Sequence, residues 1–389
     1  MRLPKIVAIA VILLIAARPC VATSIKKPVW IYKAKQDVWS VAILPNGNVA
    51  AGSLDGYVYC FNKDGQLLWK YYTGHCVESV TATSNGLVFA GSGYSVYCLK
   101  NGKLLWRYWI GRWVWSVAAS SDGKYVVAGV HGGVYLLSGN GRLLWYYRTG
   151  LGAGSVAISP NGEYIVAGDL NHSVYFFDRS GALLWVYNTS LGVPSVAISS
   201  NGYAVAGCLN HYILFFDKSG KLLWKYRAGE CVGSLAITPD GKYVVAGDAR
   251  GDIYMFDQGH LLWKFKAGDA VLAVAVTPNG RYVAVGSDDC YVYMFNTHGD
   301  LLWKYYTGSP ERHNYVWAVA ISPNGSYIAA GNCNNKIIFF EQNNANAANT
   351  KLTTENGKEA KSKKSSTMSL EACSYYLTSL LFHALNIYF

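Results

Sequence analysis

Short apolar runs recur along the chain and are separated by turn-forming residues. In the stretch 234–265, the segments 234–237, 243–247, 253–256 and 261–265 are rich in β-branched, aromatic and small side chains. Glycine, proline and aspartate occupy the positions between them. Runs of β-forming residues between such turns indicate antiparallel hairpins. This stretch therefore predicts four consecutive strands.

The same stretch is one copy of a repeat that extends through most of the chain. A tryptophan returns every 37–40 residues, and a tyrosine or phenylalanine follows each one two positions later. The repeated tryptophans are Trp30, Trp69, Trp106, Trp145, Trp185, Trp224, Trp263 and Trp303. Four strands in a repeat of about 40 residues make one propeller blade. The predicted fold is an all-β, eight-bladed β-propeller with four antiparallel strands per blade.

The two ends of the repeat array predict how the ring closes. The last repeat ends at Phe340 without a fourth strand, while the segment 29–32 is a fourth strand with no repeat of its own. If this N-terminal strand completes the last blade, the ring has no free edge to aggregate. We expect the residues up to Lys27 to contribute no strand.

The N-terminus has the composition of an export signal. Arg2 and Lys5 precede an apolar run over residues 6–17, and Ala22 supplies a small residue for cleavage. This pattern predicts a signal peptide over residues 1–22. The run is shorter than the roughly 20 residues that span a membrane. An uncleaved anchor is the alternative.

The C-terminus changes character after the predicted propeller, which occupies residues 28–341. Residues 342–371 are polar and predict a linker, whereas residues 372–389 form an apolar tail without Asp, Glu, Lys or Arg. The tail is either a membrane anchor or a docked or disordered segment. We predict an extracytoplasmic protein, secreted or at the cell surface, and leave membrane association through either terminus open.

The charge of the chain does not indicate nucleic-acid binding. The formal net charge is +11, but residues 23–341 carry 26 basic and 20 acidic groups that are spread through the repeats. A nucleic-acid interface requires basic residues clustered on one face. We therefore expect no nucleic-acid partner.

Two segments of the repeat resemble known propeller families. The run Phe216–Trp224 (FDKSGKLLW) resembles the repeat of pyrroloquinoline-quinone (PQQ)-like propellers, and the run Ser155–Gly162 (SVAISPNG) is similar to the first hairpin of WD-repeat propellers. The resemblance covers roughly residues 28–341. It implies the propeller fold and leaves several functions open.

The resemblance implies two candidate functions. The first is an exported, non-catalytic scaffold that binds a protein or glycan at the cell envelope. The alternative is a PQQ-dependent quinoprotein dehydrogenase, but such enzymes commonly carry long inserted loops and an adjacent pair of cysteines, which this chain lacks. We predict a monomeric protein that is not an enzyme and has no cofactor.

The repeats also reveal where the chain departs from its own symmetry. One position, nine residues after the repeated tryptophan, begins each innermost strand. Around the ring it is occupied by Trp39, Glu78, Trp115, Gly154, Pro194, Gly233, Leu272 and, after an insertion, Trp317. Bulky residues therefore occupy four consecutive blades, and small or apolar residues occupy the others. Such asymmetry at one axial mouth indicates a binding site.

The insertion lies beside the same four blades. It spans residues 309–315 and contains Arg312 and His313, while Arg112 and Trp113 enter the mouth from the third repeat. Aromatic faces with a few charged groups suit a sugar, a cation or a peptide. The predicted ligand-binding residues are Trp39, Glu78, Arg112, Trp113, Trp115, Arg312, His313 and Trp317. The alternative is that the tryptophans only fill a wide axial channel.

Other polar residues give weaker signals. No nucleophile–base motif or phosphate-binding loop is present, so we predict no catalytic residue. His172 and His211 occupy matching turns, with Cys208 nearby, but repeat duplication explains the match and we predict no metal site. Asp169 and Asp248 also match each other and are expected to cap hairpin turns.

Overall fold

The computed structural model describes residues 24–308 and 315–342, and every regular element in these ranges is a β-strand. The strands of the first half are β1 (Ser24–Ile25), β2 (Trp30–Lys33), β3 (Val38–Ile43), β4 (Val49–Ser53), β5 (Tyr57–Phe61), β6 (Leu67–Tyr72), β7 (Val77–Ala82), β8 (Val88–Ser92), β9 (Ser95–Lys100), β10 (Lys103–Trp109), β11 (Val114–Ala119), β12 (Tyr125–Ser138), β13 (Leu143–Ile158), β14 (Tyr164–Asp169), β15 (Ser173–Asp178) and β16 (Leu183–Asn188).

The strands of the second half are β17 (Ser195–Ile198), β18 (Ala204–Gly207), β19 (Tyr212–Phe216), β20 (Leu222–Arg227), β21 (Val232–Ile237), β22 (Tyr243–Asp248), β23 (Asp252–Asp257), β24 (His260–Lys266), β25 (Val271–Val276), β26 (Tyr282–Ser287), β27 (Tyr291–Asn296), β28 (Leu301–Tyr306), β29 (Val316–Ile321), β30 (Tyr327–Asn332) and β31 (Lys336–Glu341). Within a repeat, successive strands pair antiparallel. The prediction of an all-β propeller with four antiparallel strands per blade is confirmed.

The predicted number of separate blades is wrong. The strands form seven hydrogen-bonded sheets rather than eight, because the third and fourth repeats share one six-stranded sheet. In that sheet β12 and β13 are unusually long, and each spans two of the strands that the repeat pattern predicts. The first part of β13 pairs with β12 and its last part with β14. Counted as sheets, the propeller has seven blades, and the largest contains two sequence repeats.

The N-terminal strand completes the last repeat as predicted. β2 pairs antiparallel with β31, with Trp30 opposite Phe339 and Lys33 opposite Lys336. The expectation that residues up to Lys27 contribute no strand is wrong, because β1 pairs in parallel with β28. The predicted signal peptide, 1–22, and the apolar tail, 372–389, lie outside the described residues. Within residues 24–308 and 315–342, no helix is long and apolar enough to cross a membrane.

A glycine in the second strand of each repeat allows the next repeat to pack closely. A Cβ atom added to Gly247 would lie 2.1 Å from Cγ1 of Val271, which begins the innermost strand of the next repeat. The same contact joins the two ends of the ring, since a Cβ on Gly331 would lie 2.7 Å from Cγ1 of Val38. The recurring Ala-Gly pair is therefore an inter-repeat packing feature, which requires the absence of a side chain.

We expect Gly247→Ala to lower the free energy of unfolding by about 2–3 kcal/mol, because the new methyl group overpacks this contact. Gly154→Ala is the matched control, since its Cβ would lie no closer than 3.5 Å to any atom of Leu170, its nearest neighbour. Thermal or urea unfolding measures both. Val271→Ala should partly rescue Gly247→Ala, and equal stability of the two glycine variants would contradict this packing role.

The repeated tryptophans connect neighbouring repeats through their indole N–H groups. Six of them donate a hydrogen bond to an oxygen of the next repeat. In five cases the oxygen lies in the turn between the third and fourth strands, and in the last repeat it belongs to Gln342, directly after β31. These bonds are Trp30 to Lys63 O (3.0 Å), Trp106 to Gly139 O (2.8 Å), Trp145 to Arg179 O (3.1 Å), Trp185 to Lys218 O (3.2 Å), Trp263 to Thr297 O (2.9 Å) and Trp303 to Gln342 Oε1 (2.7 Å). The Trp224 indole N–H has no partner among the described residues, and the turn that it faces, 257–260, is one residue shorter than that of the preceding repeat.

Candidate functional site

The innermost strands place the four asymmetric residues at one end of the ring. Trp39, Glu78, Trp115 and Trp317 are each the second residue of their strand, in β3, β7, β11 and β29. The backbone N–H of Val80 donates to Ser40 Oγ at 2.9 Å, and that of Val117 donates to Ser79 Oγ at 3.1 Å. These bonds align β3, β7 and β11 side by side, and β29 packs beside β3. The four residues therefore occupy consecutive positions around the axis.

Two of the tryptophans contact each other directly. The ring centroids of Trp39 and Trp317 are 5.8 Å apart, with 40° between the ring planes. Tyr315 meets Trp317 edge-on, at 6.0 Å and 87°. All three side chains are partly exposed. Their faces and edges are therefore within reach of a bound group at this end of the ring.

Glu78 lies next to Trp39 around the ring and is hydrogen-bonded to a tryptophan of the third repeat. Burial raises the pKa of the Glu78 carboxyl to about 7, while a hydrogen bond from the Trp113 side chain lowers it. The Trp113 ring packs edge-on against the Tyr94 ring, with the ring centroids 5.5 Å apart and 84° between the ring planes. The centroid of the His75 ring lies 6.5 Å from that of Trp113. A carboxyl removed from water thus has aromatic rings around it. We call Trp39, Trp317, Glu78 and Trp113 the aromatic mouth.

Trp115 and Arg112 contact a different part of the chain from the residues of the aromatic mouth. Trp115 packs edge-on against His131, at 5.8 Å and 90°. The backbone at Gly152 covers the Trp115 ring, because a Cβ there would lie 2.8 Å from its Cζ3 atom. Arg112 Nη1 donates to the His131 carbonyl at 3.4 Å. Both residues therefore border β12 at His131, while the predicted Arg312 and His313 lie outside the described residues.

Two carboxyl groups near the aromatic mouth were missed by the sequence prediction. Burial raises the pKa of Asp37 to about 6. Burial also raises the pKa of Asp288 to about 8, and the negative charges of Asp269 and Asp289 raise it further. The sequence did contain a signal for both residues. Asp37 precedes Trp39 by two residues, and Asp288 is a second aspartate directly before Asp289 in its hairpin turn.

Both carboxyl groups act electrostatically on Cys333, whose backbone is bonded to the residue beside Trp317. Burial is the main cause that raises the pKa of the Cys333 thiol. The negative charge of Asp37 is the next largest cause that raises it, and the negative charge of Asp288 also contributes. The Cys333 backbone N–H donates to the Tyr315 carbonyl at 3.0 Å. Tyr315 in turn contacts Trp317, so Cys333 lies beside the segment that packs against this tryptophan.

The remaining candidates have structural roles. Asp248 accepts hydrogen bonds from the Gly229 backbone N–H (3.0 Å) and the Tyr254 hydroxyl (2.9 Å), and Asp169 accepts from Asn171 N (2.8 Å), so both cap hairpin turns as predicted. His211 Nε2 lies 2.9 Å from Glu230 Oε1. No group of three or more His, Cys, Asp or Glu side chains in the described part of the chain could hold a metal ion.

Three family models match parts of the chain. The model described as outer membrane protein assembly factor BamB, of the PQQ-like repeat type, matches residues 54–202. A family of unknown function, DUF5711, matches residues 210–356, and the WD domain, G-beta repeat, matches residues 26–62. No curated protein matches the chain. Each model covers less than half of the chain, and the matches show that its repeats are similar to those of PQQ-like and WD propellers, as the sequence motifs predicted.

Solved structures with the same fold include both natural and designed propellers. Sqt1 of Chaetomium thermophilum bound to the N-terminus of the ribosomal protein L10 has a TM-score of 0.72 and 19% identity, covering 82% of this chain and 100% of that chain. Sqt1 alone gives 0.73 and 18%, covering 83% and 100%. The computationally designed Ika8 protein gives 0.69 and 19%, covering 80% and 98%. At these identities the similarity concerns the fold.

Proposed function

We propose that this chain is an exported, non-catalytic propeller scaffold that binds a polypeptide through the aromatic mouth. The observation that carries the proposal is the break in repeat symmetry. Four consecutive inner strands present Trp39, Glu78, Trp115 and Trp317, whereas the equivalent position elsewhere in the ring has small or apolar residues. Partly exposed aromatic rings at the centre of a surface are typical of binding hot spots.

A polypeptide ligand is favoured over a glycan by the fold comparison. The Sqt1 structure contains the N-terminus of a ribosomal protein bound to a propeller with the same fold. Aromatic side chains bind a polypeptide segment with little loss of conformational entropy. From the predicted choice of a protein or a glycan, our proposal therefore takes a protein segment.

Export and domain organisation are part of the same proposal. Residues 1–22 would direct the chain out of the cytoplasm, residues 28–341 would form the binding propeller, and residues 342–371 and 372–389 would follow as linker and tail. The match to the outer membrane assembly factor model, over residues 54–202, supports a role at the cell envelope. The protein would act as a monomer and without a cofactor.

Site-directed photocrosslinking in intact cells tests the location of the bound segment. A photoreactive residue replacing His131, which is exposed beside the mouth, should crosslink to a polypeptide. The control replaces Glu163, which is exposed in the turn between β13 and β14 at the opposite end of the ring. The crosslinked product should fractionate with the cell envelope. Crosslinking of the same polypeptide from both positions, or from Glu163 alone, would contradict binding at the mouth.

A further inference from the structure

Cys231 differs from the other cysteines of the described residues because it forms a disulfide bond. It is buried and directly precedes β21, the innermost strand of its sheet. The other cysteines of residues 24–308 and 315–342 carry thiols, and they are Cys60, Cys76, Cys98, Cys208, Cys290 and Cys333. The chain has nine cysteines, so the two that remain as partners of Cys231 are Cys20 and Cys373.

The length of chain on either side of the propeller distinguishes these two cysteines. Cys20 lies four residues before Ser24, which belongs to β1 at the outer edge of its sheet. Four residues span at most about 14 Å, whereas β1 and the innermost strand β25 are four strand spacings, or about 19 Å, apart. Cys231 lies farther still, because β21 belongs to the next sheet and packs beside β25. Cys373 lies 31 residues after Gln342, a length of up to about 100 Å, and this favours it as the partner.

An apolar depression lies beside Cys231 at this end of the ring. It is lined by Pro194, Leu209, Gly233, Ala249, Ala270 and Val271. Pro194 and Gly233 occupy the repeat position that carries Trp39 and Trp317 in the aromatic mouth. Small residues therefore leave room here, where indole rings fill the corresponding space in other repeats. A segment of chain that docks here would pack against apolar atoms.

The tail that contains Cys373 has the composition that such a depression requires. Residues 372–389 include no Asp, Glu, Lys or Arg, so docking would bury no charged side chain. Apolar surface that leaves water stabilises the docked form. A disulfide to Cys231 adds to this stabilisation, because it holds the tail at a high effective concentration beside the ring.

We propose that Cys373 is the disulfide partner of Cys231 and that the bond docks residues 372–389 in the depression beside it. The inference goes beyond the proposed function, since it concerns the tail of the chain itself and not the polypeptide at the aromatic mouth. Of the two alternatives that the sequence left open for the tail, it takes the docked segment over the membrane anchor. Export favours the same pair, because an exported chain loses Cys20 with its signal peptide and enters an oxidising compartment.

Formation of the bond requires a disulfide oxidant. The Cys231 and Cys373 thiols each lose a proton, and a bond forms between their two Sγ atoms. The two electrons pass to the oxidant, whose own S–S bond breaks to give two thiols. Oxidised glutathione supplies this step in solution, and the disulfide-forming machinery of an oxidising compartment supplies it after export.

Peptide mapping of the full chain tests the pairing. The protein is incubated with oxidised and reduced glutathione, the remaining thiols are alkylated, and trypsin releases residues 228–242 and 365–389 as peptides with one cysteine each. Mass spectrometry should find these two peptides linked, and dithiothreitol should separate them. Any other partner of Cys231, Cys20 included, or an alkylated Cys231 thiol would overturn the inference.

Limited proteolysis with chymotrypsin tests the docking of the tail. Cleavage after Tyr375 and Tyr376 should be at least about tenfold slower in the oxidised chain than in the reduced chain, because a docked segment is protected from the protease. Cys373→Ser should be cleaved at the fast rate in both states. The matched control is Cys76→Ser, which removes a thiol at the repeat position of Cys231 and should behave as the full chain does. Equal cleavage of the oxidised and reduced full chain would overturn docking.

A substitution that fills the depression separates docking from the covalent bond. Gly233→Trp introduces the side chain that the aromatic mouth carries at this repeat position, and it should restore fast cleavage of the tail while residues 228–242 and 365–389 stay linked. Gly154→Trp, at the same position of a repeat that does not line the depression, should leave cleavage slow. Gly233→Leu is the smaller change if Gly233→Trp fails to fold. Slow cleavage in a folded Gly233 variant would contradict docking at this place.

Discussion

A chain that lacks residues 1–35 is expected to melt at least about 10 °C below the full chain or to remain unfolded. The deletion removes β2, which pairs with β31 in the last repeat. It also removes Trp30, which stacks on Phe339 at 5.2 Å and contacts Phe61 of the first repeat at 5.2 Å. Loss of a buried aromatic side chain alone costs about 3–5 kcal/mol, and in a domain of this size each kcal/mol shifts the melting temperature by about 2–4 °C.

Two comparisons make this result specific to ring closure. A chain that lacks only residues 1–22 retains β1 and β2 and should melt close to the full chain. Within the full chain, Trp30→Ala should cause a large part of the loss, whereas Trp109→Ala should not, because the Trp109 side chain is 68% exposed. Calorimetry or circular dichroism measures the melting temperatures of these four variants and of the full chain. An unchanged melting temperature after removal of residues 1–35 would exclude closure by the N-terminal strand.

The fold was predictable because each repeat carries its own local signals. Turn residues, β-branched runs and a tryptophan at a fixed spacing are all visible in the sequence, and the unmatched strands at the two ends indicated closure. The shared sheet of the third and fourth repeats was not predictable. It depends on β12 and β13 continuing through Gly132 and Gly152, which both have a positive φ (82° and 141°) and where glycine usually signals an interruption.

The small pairing of β1 with β28 was missed for a related reason. β1 has two residues, and its partners Trp303 and Lys304 lie about 280 positions away in the sequence. A two-residue parallel pairing has no periodicity that could be recognised. Its existence depends on the exposed edge of β28, which becomes apparent only when the blade has formed.

The candidate site was predictable where the repeat supplied a reference. Trp39, Glu78, Trp115 and Trp317 depart from a position that the other repeats define, and repeat order alone placed them side by side. His75 and Tyr94 could not be found in this way. They lie in loops between strands, where the repeats differ from one another, and only the packing of neighbouring repeats brings them beside Trp113.

The double variant Trp39→Ala, Trp317→Ala is expected to fold and to lose binding at the aromatic mouth. Both side chains are partly exposed, and their loss removes an aromatic pair worth about 0.5–1.5 kcal/mol beyond its buried area. The melting temperature should fall by only a few degrees. The crosslink from position 131 should disappear, because the ring faces that contact the ligand are gone.

The matched variant for this experiment is Trp185→Ala, which removes a tryptophan from between two repeats. Trp185 stacks on Phe176 at 4.8 Å and 8°, contacts Phe216 of the next repeat at 5.2 Å, and donates to the Lys218 carbonyl. Its loss should lower the melting temperature strongly while the folded fraction still binds at the mouth. The opposite behaviour of the two variants would separate a binding role from a packing role. If the double variant binds normally and melts far below the full chain, Trp39 and Trp317 only fill the axial channel.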